Sequence, residues 1–154
     1  MRHYTSISHN ITVAICQRIN TGWDIELRKT YSNWLKGLLI AYSVGLFSFF
    51  VILKIDGYTI FLISFSILSF YIHFISLING HSLVIEKREY ISKKLDEIIL
   101  SKKHIATNEL RDIQDEIYLT RQEPAKVPNV FFNLYKKKMN LEFEDYIETV
   151  NRIY

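Results

Sequence analysis

The sequence predicts an all-α integral membrane protein: a two-span transmembrane helical hairpin, with an amphipathic N-terminal helical region before it and a cytoplasmic helical region after it. Three observations carry this fold class. Between Gly37 and Ile85 the only charges are Lys54 and Asp56, whereas Glu86 to Tyr154 is dense in Lys, Arg, Glu and Asp. The two charge-free runs are separated only by Lys54-Ile55-Asp56-Gly57, a connector short enough to force a helical hairpin. Arg18, Arg28, Lys29 and Lys36 precede the hairpin and Lys87, Arg88, Lys93 and Lys94 come after it, while its turn offers Lys54 alone, so both termini are expected in the cytoplasm.

Residues 1–34 form the first region. No continuous apolar stretch precedes Gln17, so no cleavable signal is expected, and the hairpin itself is the insertion signal. Asn10 is placed to cap a helix running to about Asn20, and Thr21-Gly22 is expected to break it. A second helix from Trp23 sets Trp23, Leu27, Tyr31 and Trp34 along one side, with Arg28 and Lys29 towards the other. The aromatic side reads either as an interfacial anchor or as the apolar face of a plain amphipathic helix.

Residues 35–85 hold the hairpin, with spans at about 36–54 and 58–80. The first charge-free run is near the lower limit for crossing hydrocarbon, and Lys36 and Lys54 lengthen it by snorkelling. The second is long enough to cross with tilt. Each carries a pattern. Gly37, Ala41, Gly45 and Ser48 make a small-residue ridge of the kind that lets helix backbones approach. Ser66, Ser69, His73 and Ser76 share a face of the second span, extended by Thr59 and Gly80. Such a stripe either packs on a helix or lines water in an oligomer, with His73 as its titratable group.

Residues 86–154 read as a cytoplasmic helical region. Val84, Ile91, Leu95, Ile98 and Ile105 keep helical spacing, so the second span continues outward as a helix. Another helix is expected from Thr107 or Asn108 to Arg121, then an extended loop through Glu123-Pro124-Ala125-Lys126-Val127-Pro128, with Pro128 suited to the first turn of the next helix. The tail reads as one or two short amphipathic helices. Leu110, Ile113 and Ile117 share a buried face, and Arg111, Gln114, Tyr118 and Arg121 share the neighbouring one. Two guanidiniums, an amide and a phenol in a row are suited to a phosphate and a base; an ordinary helix salt-bridged by Arg111 and Asp115 is the plainer reading.

Several function classes are excluded on composition and motif. A formal charge of +3 gives no nucleic-acid footprint. There is no Walker A, Rossmann, C-x-x-C, H-E-x-x-H or G-x-S-x-G motif, and the five histidines have no ligand spacing, so no enzyme, cofactor or metal centre is expected. The single Cys16 allows no intrachain disulfide.

The pieces Leu110-Arg111, Ile113-Gln114-Asp115, Ile117-Tyr118, Arg121 and Val127-Pro128, with Ile15 to Tyr31 and the hairpin, resemble the four-transmembrane pore-forming effectors of bacterial anti-phage nucleotide-signalling systems. The resemblance covers most of the chain and corresponds to the C-terminal half of that family. It implies a membrane effector that oligomerises and permeabilises the bacterial inner membrane on a cyclic-nucleotide or oligonucleotide signal. A companion subunit supplying a first transmembrane pair is a further partner it would admit. The alternative is a membrane-anchored scaffold whose cytoplasmic helices recruit a partner.

Overall fold

The computed structural model describes residues 9–101, 106–136 and 140–141. Its principal helices are α1, His9–Ile52; α2, Gly57–Ser101; and α3, Thr107–Arg121. Residues 129–136 are also helical, and there is no strand among the described residues. Ile105 and the tail beyond residue 141 lie outside the described residues.

At about 1.5 Å per residue, helices of 44 and 45 residues are roughly twice as long as a hydrocarbon core is thick. Each therefore has two jobs. The halves nearest the connector present apolar side chains outward: Phe47, Val51, Phe61, Phe65 and Ile72 are exposed, as lipid-facing residues are. The distal halves bury their apolar side chains against each other and α3. All-α and two long apolar helices are what the charge pattern predicts.

The connector explains how so tight a hairpin closes. Lys54 adopts the left-handed backbone conformation with φ 49°, while the Lys54 amide bonds to the Val51 carbonyl and the Ile55 amide to that of Phe50. That pair of bonds is a Schellman motif, which satisfies the last carbonyls of α1. Asp56 then caps α2, accepting the Thr59 amide at 3.0 Å and the Thr59 hydroxyl at 2.8 Å. The same two bonds, amide first, hold its carboxyl below the usual carboxylate range.

The expected break at Thr21-Gly22 is absent: α1 is helical from His9, passes through both residues, and contains Asn10 rather than being capped by it. Thr21 is fully buried and its hydroxyl donates to the Gln17 carbonyl of the preceding turn at 2.8 Å. Gly22 supplies room instead of a bend. A Cβ there would lie 2.8 Å from Nη1 of Arg18, whose side chain runs over that glycine to meet Asp96 at 2.8 Å.

Two apolar cores hold the part beyond the spans. The distal one joins Ala14 of α1 to Ile91, Leu95 and Ile99 of α2 and to Leu110, Ile113 and Ile117 of α3. The one beside the membrane joins Leu27, Tyr31 and Leu35 to Ile78 and to Phe131, with Trp23, Phe74 and Tyr135 packed around it. The predicted aromatic side of α1 is therefore covered by protein: Phe131 lies edge-on to Tyr31 at 5.0 Å, and Phe132 sits 5.7 Å from Trp23. Trp34 alone of the four remains exposed.

Candidate functional site

Between the two cores lies a layer of buried charge. Asp24 and Arg28 are one helical turn apart on α1, and the Arg28 Nε donates to Asp24 Oδ2. On α2, His81 and Arg88 fall on the seam that also carries Val84, Ile91 and Leu95, so the periodicity that buries the aliphatic residues buries these two as well. Nη1 of Arg88 reaches the same Asp24 oxygen at 3.0 Å, and its Nε donates to the Thr120 hydroxyl on α3 at 3.0 Å. Thr120 in turn donates to the Ile117 carbonyl.

Arg28 completes the layer. Its Nη1 donates to the Ala125 carbonyl and lies 3.3 Å from Nδ1 of His81. It thereby pins residues 122–128, a strap that crosses α2 where Gly80 has no side chain: a Cβ at Gly80 would lie 3.2 Å from that of Ala125. Two guanidiniums thus meet on the Asp24 carboxylate, and through them α3 and the strap are tied to it.

The electrostatics are unbalanced. Arg28 and Arg88 are 7% and 3% exposed and, among the described residues, share the single anion Asp24, which leaves one excess positive charge in a poorly hydrated layer. Burial, then repulsion from Arg28 and Arg121, lowers the Arg88 pKa against the opposing pull of Asp24. His81, fully enclosed, lies beyond the second span at the level of Arg28 and Tyr31, residues that precede the first. Burial first, and Arg28 second, hold its pKa below the ordinary histidine value, so it is neutral at physiological pH. Its Nε2 and the Oγ of Ser32 are enclosed without a hydrogen-bond partner among the described residues. At the rim, Glu89 binds Lys29 at 2.8 Å and raises its pKa.

The residues singled out by pattern fall elsewhere. Ser66, Ser69, His73 and Ser76 are exposed, and so are Gly37, Ala41, Gly45 and Ser48. Ridge and stripe do not meet within the chain; a Cβ at Gly37 or Gly45 would find nothing within 4 Å. The hairpin is instead joined by Ser43 and Tyr71, whose hydroxyls lie 2.8 Å apart, and by the Tyr42 ring beside those of Phe70 and Tyr71, while Leu39, Leu46, Ile67 and Phe74 are half-buried. Arg111, Gln114, Tyr118 and Arg121 share an exposed face of α3 as their spacing predicts. Gln114 of that set is engaged, accepting from Gln17 Nε2 at 3.1 Å.

Against this geometry, the description SMODS-associating 4TM effector domain matches residues 2–150. The chain belongs to this family. Members are membrane effector domains tied to nucleotide-signalling anti-phage systems, and the family is not a known catalytic one. The two apolar helices and the family together place this effector domain in a lipid bilayer, at the bacterial inner membrane. No curated protein and no solved structure matches the chain. Sequence reasoning misses the Asp24, Arg28, His81, Arg88 and Thr120 layer of this effector domain altogether. The signal is present, since residues 81, 84, 88, 91 and 95 share one seam, but by sequence Arg88 reads as an orientation charge and His81 as a lone histidine.

Proposed function

We propose that this effector domain assembles in the inner membrane, both termini cytoplasmic, and permeabilises it in anti-phage defence when a nucleotide second messenger appears. One observation supports the reading above others. The small-residue ridge and the Ser66, Ser69, His73, Ser76 stripe are both left uncovered by the hairpin's own packing. Ser66 offsets part of its own cost by donating to the Leu62 carbonyl at 2.9 Å, but an imidazole facing hydrocarbon is costly, and contact with other copies or with water in an assembled pore removes that cost. The ridge supplies the close helix approach, and the stripe turns inward.

The Arg111, Tyr118 and Arg121 face of α3 is the proposed reader of the phosphate signal, being cationic, aromatic and open. The test is dye entry in cells that express the chain with its activating synthase. Gly45→Leu should prevent assembly without disturbing the chain's own fold, and Ser69→Leu should permit assembly while reducing conductance. Parental permeability in both variants would reject this geometry.

A further inference from the structure

Beside the charged layer, α2 and α3 enclose a groove of about 880 Å³ lined by Leu83, Tyr90, Ile91 and Leu119, with Glu86, Glu116 and Glu123 among its walls. Lys87 is the one basic residue lining it among the described residues and is tied to Glu123 at 2.5 Å. Glu116 is partly met by Lys94 at 3.5 Å, while Glu86 has no ion-pair partner among the described residues. The groove is apolar at its floor and acidic at its edge. That sign repels a phosphate ligand and favours a cationic, apolar one.

The chain carries such a surface of its own. In the helical residues 129–136, Phe131 and Tyr135 face α1, and this leaves Val130 and Leu134, one turn apart, each 73% exposed. Lys126 and Lys136 flank them and are exposed. Because Phe131 is seated on Tyr31, this ridge cannot turn into the groove of its own chain. We propose that Val130 and Leu134 of one copy dock in the Leu83, Tyr90 and Leu119 groove of the next, with Lys126 and Lys136 meeting Glu86, Glu116 and Glu123. The contact pairs two different surfaces, so it repeats head to tail and closes a ring when the rotation permits. It rests on the oligomerisation reading and specifies the cytoplasmic contact that accompanies the ridge. Thr120 lines the groove and also accepts from Arg88, so an occupied groove touches the buried layer directly.

Bismaleimide cross-linking in intact membranes tests this. In a Cys16→Ser background, one tagged chain carries Leu119→Cys and a differently tagged one carries Leu134→Cys. A product should form only when both are present, fall at least fivefold with Glu86→Lys, and recover when Lys136→Glu is added to the other chain. If no such product forms while Gly45→Cys chains cross-link to one another, the assembly stands and this contact is wrong. If Gly45→Cys chains also fail, the oligomerisation reading falls with it. Capture of Leu119→Cys by an unlike protein, or labelling of Leu134→Cys solely by a lipid-phase probe, also overturns the contact, assigning the groove to another partner or the ridge to the bilayer.

Discussion

Asp24 on α1 and Arg88 on α2 form a 3.0 Å ion pair across the hairpin, on the side of the spans away from its turn, and Asp24 binds Arg28 with the same oxygen. One carboxylate therefore joins two buried guanidiniums. Asp24→Asn keeps the shape but leaves both cations without a counter-charge. The expected loss is about 3–5 kcal/mol, the usual cost of breaking a buried pair from one side. Thermal unfolding in detergent should show it, whereas removal of the rim pair through Glu89→Gln should cost under about 1 kcal/mol.

Acid should loosen the same layer. Arg28 and Asp24 on α1 face His81, with Arg88 on its own helix and the Ala125 carbonyl from the strap. Since the folded pKa of His81 is depressed, the unfolded chain binds more protons at low pH. The stability is fully present above the ordinary histidine pKa of roughly 6.5 and is lost as pH falls towards the depressed value. His81→Leu should flatten the dependence of melting temperature on pH in that window, and an unchanged slope would assign it to other groups.

The strap depends on the missing side chain at Gly80. Gly80→Val places methyl groups beyond a Cβ already 3.2 Å from that of Ala125, so residues 122–128 must lift and the Arg28 bond to the Ala125 carbonyl must lengthen. Limited proteolysis should cut the strap faster than in the parent, with α1 and α2 still paired.

The hairpin turn offers the opposite test. Lys54 occupies a left-handed conformation that costs a side-chain-bearing residue about 1 kcal/mol, and the Schellman bonds keep it there. Lys54→Gly should raise stability by about that amount, read as a higher unfolding midpoint. A loss would mean that the lysine's contact with the membrane surface outweighs the backbone strain.

Charge and period make the hairpin and its extension legible in the sequence. The absence of charge between Gly37 and Leu53 and again after Gly57, the four-residue connector, and the aliphatic seam through Val84, Ile91 and Leu95 place them. The face of Leu110, Ile113 and Ile117 places α3. The hidden part depends on neighbours distant in sequence. Gly22 reads as a breaker until Arg18 is seen lying over it towards Asp96, and Arg28 reads as a solvated charge until the Ala125 carbonyl and His81 are brought onto it. The ridge and stripe are identifiable as faces, but whether they meet each other is a question of how the hairpin rotates. Ser43 and Tyr71 answer it.

The central claim is that the uncovered ridge and stripe serve assembly into a conducting path. The most direct measurement is membrane potential together with dye entry in bacteria expressing the chain, with its synthase silent and then active, for the parent, Gly45→Leu and Ser69→Leu. Synthase-dependent depolarisation by the parent, abolished by Gly45→Leu and reduced by Ser69→Leu, is the predicted result. A potential that stays intact in the parent with the synthase active would contradict it.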